Sequence, residues 1–276
     1  MTISLITSVH NPRVKAAVKL RSGRDRARQE QILIDGIREI QRAQIAGVRL
    51  HEVFACFSDD DAAGASWLDS LTAAGIDVCR LSPSVFARLA YGQREQGVVA
   101  VAEPPRRTLD ELGSAGDALM IVLERVEKPG NVGAVVRTAD ATGASAVIVA
   151  DGATDLYNPN AIRASLGTIF AVPVCAAGSR ETLAWLRQHR VRIFAARVEA
   201  AQLYTRVSYR GPAAIVLGSE SEGLSDVWQG PDITPVSLPM HGMADSLNVS
   251  TTAAVLLYEA LRQRHATEDD TFPLAG

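Results

Sequence analysis

Short apolar runs alternate with amphipathic segments along most of the chain, and they form two series. In the first series, the apolar runs have the length of strands, and segments with helical periodicity separate them. The predicted strands are 31–35, 51–56, 77–81 and 97–102, and the predicted helices are 37–46, 67–74 and 83–90. Strands that alternate with helices favour a mostly parallel sheet covered by helices.

A polar segment with two adjacent prolines, 103–107, separates this series from a second one. In the second series we predict strands at 118–123, 146–150, 172–175, 192–196, 213–217 and 234–238, and a last helix at 249–264. Several of these strands are apolar throughout, which is typical of a parallel sheet buried on both faces. The predicted fold class is therefore α/β, with a first domain at 1–105, a linker at 106–117, a second domain at 118–265 and a flexible tail at 266–276.

The composition argues against a membrane or secreted protein. No apolar run approaches the roughly 18 residues that a membrane-spanning helix needs, and the N-terminus lacks the basic and apolar pattern of a signal peptide. The three cysteines, Cys56, Cys79 and Cys175, are far apart and form no CxxC pair. We therefore expect buried, reduced thiols in a cytoplasmic protein.

The net charge of -3 conceals an uneven distribution. Residues 1–107 contain 15 Lys and Arg against 12 Asp and Glu, and the first 49 residues contain 10 against 4. Such a basic segment can bind a polyanion, although most charge clusters are ordinary solvated faces. The candidates for nucleic-acid contacts are Arg21, Arg24, Arg26 and Arg28.

Ligands of open α/β sheets bind at the carboxyl ends of the strands, and the strand at 118–123 is followed by an unusual segment. Asn131 is well placed to cap the next helix, and Arg137 follows almost two turns later. The neighbours of Arg137 look buried, so this residue is either a phosphate-binding fork or a structural, partly buried cation. The segment lacks both the GxGxxG spacing of dinucleotide sites and the GxxxxGK[ST] loop of NTPases.

Two further strand ends carry candidate chemistry. After 213–217, Gly218 and Gly223 bracket Glu220 and Glu222 in a short loop, which allows close backbone approach to a ligand but also suits an ordinary turn. After 234–238, Ser246 or Asn248 can cap the last helix. No cluster of His, Cys and carboxylate residues has the spacing of a metal site, so we expect no metal.

Together, the three segments resemble the three motifs of the SpoU/TrmH family in the SPOUT superfamily of RNA methyltransferases. The matching residues are Asn131, Gly133, Arg137 and Thr138, then 217–220 with Gly223, then 238–240 with 246–250. Each motif alone is modestly specific, but their order, spacing and strand-end positions make the combined match strong over about 118–265. The N-terminal region resembles the small ribosomal-protein-like substrate-binding domain of some members, through Phe86, Leu89 and 96–100, with Glu95 where a histidine often stands.

The resemblance implies a methyltransferase that uses S-adenosylmethionine to methylate a ribose 2′-hydroxyl of RNA. It also implies a trefoil knot in the second domain and a homodimer. The cofactor would contact Leu217, Gly218, Glu220, Leu238, Met240, Ser246 and Leu247, and the catalytic residues would be Arg137, Asn131, Glu220, Ser246 and Asn248. The domain arrangement resembles that of ribosomal RNA members, which include the thiostrepton- and avilamycin-resistance methyltransferases, so we expect large-subunit ribosomal RNA as the substrate.

Other functions stay open at this point. They are ribose methylation of transfer RNA, methylation of a base, and a non-catalytic RNA-binding or ribosome-assembly protein that retains the fold. The presence of all the motif residues argues against a non-catalytic protein, and the pair of Asn131 and Arg137 argues against base methylation. Arg137 is either a general base or a fork that positions phosphate and hydroxyl, and an arginine pKa above roughly 12 fits the fork better.

Overall fold

The computed structural model describes residues 4–57, 61–91, 97–113, 116–152 and 155–265. These residues divide into two compact units, one built from 1–105 with 157–171 and the other from 106–156 with 172–276. Glu95, Gln96 and the predicted tail at 266–276 lie outside the described residues.

The described residues form eleven strands and nine α-helices. The strands are β1 Ser4–Ile6, β2 Ile32–Asp35, β3 Leu50–Cys56, β4 Asp77–Leu81, β5 Gly97–Ala102, β6 Leu119–Glu124, β7 Ala146–Ala150, β8 Val174–Ala177, β9 Arg192–Ala196, β10 Ala213–Leu217 and β11 Ile233–Val236. The helices are α1 Pro12–Lys19, α2 Gly23–Gln29, α3 Ile37–Ile45, α4 Ala62–Ala73, α5 Pro83–Leu89, α6 Pro129–Ala141, α7 Pro159–Ala164, α8 Ser179–Gln188 and α9 Val249–His265. The predicted elements all occur, most with small shifts at their ends, although α4 begins at Ala62, five residues before its predicted start. β1, α1 and α2 were not predicted, and α6, α7 and α8 were not given bounds.

The first unit contains a five-stranded sheet with the order β1-β4-β3-β5-β2. The pairs β1–β4 and β3–β4 are parallel, but β3–β5 and β2–β5 are antiparallel. The prediction of a mostly parallel sheet is therefore wrong for this unit. The physical reason is that β5, apolar throughout and buried, has the same sequence pattern in either direction, so the pattern cannot fix its orientation.

A segment that follows β7 belongs to this first unit. It comprises α7 and a 3-10 turn at Thr168–Phe170. Arg42 donates to the carbonyl of Leu166 at 2.8 Å, and the rings of Tyr157 and Phe170 stack at 5.9 Å. Gly167 has φ +83°, and a Cβ there would lie 2.9 Å from the Cα of Glu39. The close approach of the two backbones therefore requires glycine at this position.

The second unit contains a six-stranded sheet with the order β11-β9-β10-β6-β7-β8, and every pair in it is parallel. The predicted parallel sheet is thus confirmed, and strands such as β6 and β10 are buried over their whole length. Leu109 and Leu112, which lie in the predicted linker, pack into the core of this unit beside Trp185 and Trp228. The chain just after the prolines is therefore part of the packed unit.

The cysteines are free and buried, as predicted. Burial raises the pKa of the Cys175 thiol to about 11, so this thiol stays protonated and unreactive near neutral pH. Within the described ranges, no helix is both long and apolar enough to cross a membrane.

Candidate active site

A cavity of about 360 Å³ lies at the carboxyl ends of β9, β10 and β11 in the second unit. Its walls come from the loops after these strands and from the first turns of α9. Every residue that the sequence predicts as a cofactor contact lines it: Leu217, Gly218, Glu220, Leu238, Met240, Ser246 and Leu247. The volume falls within the range of roughly 300–1,000 Å³ that is typical of small-molecule sites. The structure therefore brings two separate sequence motifs together around one cavity.

The loop after β10 closes on itself, and glycine is required for this. A Cβ on Gly218 would overlap the backbone of Gly223 and Leu224. The amide of Gly223 donates to the carbonyl of Ser219 at 3.0 Å, and Gly223 itself has φ +67°, a left-handed conformation that favours glycine. The glycine-bracketed segment is thus a compact loop that presents backbone groups to the cavity.

Two charged residues that the sequence analysis did not single out hold the far end of this loop. Glu124, at the end of β6, is fully buried and accepts from Ser225 N at 2.7 Å, from Ser225 Oγ at 2.6 Å and from Ser179 Oγ at 2.8 Å. Arg197, just after β9, donates to the carbonyls of Ser225 at 3.0 Å and Trp228 at 3.3 Å. We call Glu124, Ser225 and Arg197 the loop clamp. Glu124 could have been noticed in the sequence, because it is a carboxylate at the end of an otherwise apolar strand. Arg197 has no comparable signal in the sequence.

A polar network next to the cavity joins all three motifs. Asn131 Nδ2 donates to Glu220 Oε1, and Asn248 Nδ2 donates to Asn131 Oδ1 at 3.4 Å. Asn248 Oδ1 accepts from the amide of Ser250 at 2.9 Å, so Asn248 also caps α9, as predicted. The network fixes Glu220 and both asparagines relative to one another.

The prediction that Asn131 caps α6 is wrong. The helix begins at Pro129, with Lys128 as its N-cap residue. Proline is favoured in the first helical turn because its missing N–H would have no partner there. Asn131 therefore lies inside the first turn, where its side chain faces Glu220 instead of the helix backbone.

Arg137 lies on the exposed side of α6, although its neighbours Val136 and Ala139 are buried. Within the described part of the chain, no hydrogen bond or ion pair engages its guanidinium. The structural interpretation, in which a partly buried ion pair holds the helix, is therefore not supported. Ser246 lines the cavity and is exposed.

The four arginines proposed for nucleic-acid contacts differ in their surroundings. Arg26 is only 4% exposed, and its guanidinium donates to the carbonyls of Leu20 at 2.7 Å and Arg21 at 3.0 Å. The prediction that Arg26 contacts RNA is wrong, because its donors stabilise the turn between α1 and α2. Arg21, Arg24 and Arg28 are exposed, and Arg28 pairs with Asp25 at 2.7 Å.

In the described ranges, no group of three or more His, Cys, Asp or Glu residues is arranged to hold a metal ion. The charged groups around the cavity are Asp245, Glu220 and Arg197. They offer two carboxylates and one guanidinium around mostly apolar walls.

Comparison with known proteins assigns both regions of the chain. The profile of the SpoU rRNA methylase family matches residues 118–258, and that of the MRM3-like substrate-binding domain matches residues 11–100. The 23S rRNA (guanosine-2′-O-)-methyltransferase RlmB of Ralstonia nicotianae is 37% identical over 203 residues, which cover 72% of this chain and 82% of that protein. The 23S rRNA (uridine(2479)-2′-O)-methyltransferase of Streptomyces viridochromogenes is 36% identical over 186 residues, 64% of this chain and 63% of that protein.

Solved structures agree with these relatives. A crystal structure of an RNA 2′-O ribose methyltransferase superposes with a TM-score of 0.81 at 42% identity, covering 94% of this chain and 98% of that one. The SpoU methyltransferase AviRb of Streptomyces viridochromogenes, in complex with AdoMet, superposes with a TM-score of 0.83 at 28% identity, covering 93% and 99%. The family expected from the motifs is confirmed: the chain belongs to the SpoU rRNA methylase family.

Proposed function

We propose that this protein transfers the methyl group of S-adenosylmethionine to a ribose 2′-hydroxyl in large-subunit ribosomal RNA. The observation that carries the proposal is the cavity, because it gathers the second and third motifs and lies beside the network of Asn131, Glu220 and Asn248. The relatives named above methylate 23S rRNA at ribose 2′-oxygens, and the AviRb structure contains AdoMet.

The cavity suits this cofactor in its chemistry as well as its size. Leu217, Leu238 and Leu247 give apolar walls for the adenine ring, and backbone groups of the glycine loop can bond the edge of the ring. Asp245 and Glu220 line the cavity, and their carboxylates would offer counter-charges to the cofactor's positively charged ammonium and sulfonium groups. When bound, the cofactor supplies an electrophilic methyl group.

The protein's own part in the reaction is to position and polarise the hydroxyl. A guanidinium carries only hydrogen-bond donors, so Arg137 donates to the adjacent phosphate and to the 2′-oxygen as negative charge develops there. Asn131 and Asn248 orient the ribose side of the pocket, and Glu220 holds Asn131 in place. Ser246, at the mouth of the cavity, shapes the boundary between cofactor and ribose.

Three measurements test this function. Calorimetry in the presence of a chelator should show that S-adenosylmethionine or its demethylated product binds, and no binding at millimolar ligand contradicts the proposal. Mapping of ribose methylation across the host's RNA, with and without the protein, should reveal one lost position in large-subunit ribosomal RNA. A substrate with a 2′-deoxy sugar at that position should bind but accept no methyl group, whereas methylation of that substrate would indicate a base target.

We also propose that the protein is a cytoplasmic homodimer whose residues 1–105 bind the RNA. The family resemblance supports the dimer, as does the aromatic side chain of Tyr258, which is 52% exposed on α9. The exposed cations Arg21, Arg24 and Arg28 support RNA binding. Sedimentation equilibrium should give twice the 29.4 kDa mass of one chain, and a monomer at micromolar concentration contradicts the dimer.

A further inference from the structure

Three residues form a solvent-facing cluster in the first unit, which we call the Tyr91 platform: Arg21, Tyr91 and Arg163. The guanidinium carbon of Arg21 lies 5.4 Å from the centre of the Tyr91 ring, within the range of a cation–π contact. Arg163 Nη1 donates to the carbonyl of Tyr91 at 3.5 Å. The platform therefore combines one aromatic ring with two guanidinium groups.

The backbone of Tyr91 is held by residues from other elements. Its amide donates to Asp35 Oδ2, at the end of β2, at 2.8 Å, and its carbonyl accepts from Arg163 in α7. Arg21, just after α1, is held by the carbonyl of Arg88 at 3.2 Å. These contacts hold the backbone of Tyr91 and the guanidinium of Arg21, which reduces the conformational entropy that is lost when a ligand stacks on them.

Neither guanidinium of the platform is paired with a carboxylate in the described ranges. Arg21 and Arg163 are exposed, and their partners there are backbone carbonyls and the Tyr91 ring. Arg49, exposed in the same unit, instead pairs with Glu103 at 3.3 Å. A guanidinium has five N–H donors, so both platform arginines keep donors for an anion.

We propose that the Tyr91 platform binds an unstacked RNA nucleotide, with its base stacked on the Arg21–Tyr91 pair and the neighbouring phosphates bonded to Arg21 and Arg163. Proteins recognise single-stranded RNA through bases that stack on aromatic rings and guanidinium planes. A simple polyanion would use the arginines but not the ring. The inference rests on the proposed function in taking RNA as the ligand, and it extends the RNA surface beyond residues 1–105, because Arg163 comes from α7.

The test uses the full-length protein and a fluorescein-labelled oligouridylate of roughly 12 nucleotides, within the usual site sizes for single strands. Fluorescence anisotropy gives the dissociation constant over a series of salt concentrations. The variants are Tyr91→Ala, Tyr91→Phe, Arg21→Glu and Arg163→Glu, with Arg49→Ala as the matched control. A second oligomer with abasic sugars separates base stacking from phosphate binding.

We expect Tyr91→Ala to weaken oligouridylate binding about tenfold, the scale of one lost base–aromatic stack, and to change abasic binding little. Tyr91→Phe should bind like the wild type because the ring is retained. Each arginine variant should weaken binding to both oligomers and reduce the salt slope by about one. Arg49→Ala should match the wild type.

Several results would overturn the platform. The first is that Tyr91→Ala loses affinity for both oligomers to the same extent. The second is that Arg21→Glu and Arg163→Glu bind the oligomers as tightly as the wild type does. The third is that the wild type prefers a polyglutamate peptide to the oligomers. If Tyr91→Ala fails to fold, the wild-type protein still decides the question, because equal affinities for oligouridylate and for the abasic oligomer would exclude a stacked base. If the wild type methylates ribosomal RNA but the arginine variants bind the oligomers normally, the platform is contradicted and the proposed function is not. If the variants show the expected binding pattern but the wild type has no methyltransferase activity, the proposed function is contradicted and the platform is not.

Discussion

Gly218 is the position in the glycine loop where one added carbon has the clearest structural consequence. In Gly218→Ala, the new Cβ overlaps the backbone of Gly223 and Leu224, so the loop must open. Overpacking of this kind costs roughly 1–3 kcal/mol, and we expect calorimetry to show at least about a tenfold loss of cofactor affinity, equivalent to about 1.4 kcal/mol. Gly242→Ala is the matched control, because a Cβ there meets no atom within 4 Å. Equal affinities in both variants would show that the loop does not contact the cofactor.

Arg137 is the residue at which a catalytic and a structural role give opposite results. Because the side chain is exposed, Arg137→Ala should leave the melting temperature and cofactor affinity unchanged while turnover falls by about 10² or more, the scale of a lost oxyanion-stabilising or proton-transfer group. Arg137→Lys should restore little, because an ammonium group cannot reproduce the planar fork. Asp140→Ala, at another exposed position of α6, is the control for effects on the helix. A joint fall in stability and cofactor affinity in Arg137→Ala would support the structural role.

At the residue scale, the motifs located the site, but they did not define every role within it. The residues predicted around the cofactor line one cavity because they follow β10 and β11, two parallel strands on either side of β9 that end at the same edge of the sheet. The role of Asn131 was assigned wrongly because a cap residue and a first-turn residue differ only by the exact start of the helix. Arg26 was misjudged because a cluster of charges in the sequence does not reveal which side chain turns inward.

At the scale of elements, the loop clamp connects β6, β9 and the loop after β10. In Glu124→Ala, the amide and hydroxyl of Ser225 and the hydroxyl of Ser179 lose a buried acceptor. Unsatisfied buried groups cost roughly 1–3 kcal/mol each, so we expect the free energy of unfolding to fall by about 2–4 kcal/mol in urea titrations. Arg197→Met, which keeps an apolar stem but removes the donors to the loop, should raise the KM for cofactor more than it lowers kcat.

The control for the clamp is Glu181→Ala. Glu181 is exposed, and among the described residues its side chain accepts a single weak hydrogen bond, from the amide of Gly178 at 3.3 Å. Its loss should therefore change stability by less than about 0.5 kcal/mol. A Glu124→Ala protein as stable as this control would show that the clamp contributes nothing to the fold.

The elements of both units could be predicted from apolar periodicity, but the strand directions could be predicted only in the second unit. In the second unit, the central strands β6, β7 and β10 are buried over their whole length, and their apolar pattern indicates a parallel sheet, which the structure confirms. In the first unit, β5 has the same pattern yet runs antiparallel to β2 and β3. The short helices α1 and α2 were missed because their buried residues are few, Val14 and Ala17 in α1 and Arg26 in α2, which leaves little periodic signal. The trefoil knot stays a prediction.

At the scale of the whole molecule, the order of segments along the chain differs from their grouping in space. A domain boundary placed at the prolines follows the change in composition, but residues 157–171 return to the first unit. Ile162, Ile169 and Phe170 are each at most 2% exposed there. No composition shift marks this segment, because its apolar residues look like those of any other buried stretch of the second series.

This grouping predicts how a fragment of residues 106–276 behaves. The cavity residues all lie between 196 and 252, so the fragment should still bind S-adenosylmethionine, and it should lose most RNA affinity. Without residues 1–105, however, Ile162, Ile169 and Phe170 lose the surface that buries them, and exposed apolar patches of this kind promote association. We therefore expect the fragment to bind a hydrophobic dye strongly and to aggregate at concentrations at which the full-length protein does not. The double change Ile162→Ser and Phe170→Ser in the fragment should reduce both effects without altering cofactor affinity. If the fragment neither binds the dye nor aggregates more than the full-length chain, residues 157–171 do not depend on residues 1–105 for their burial.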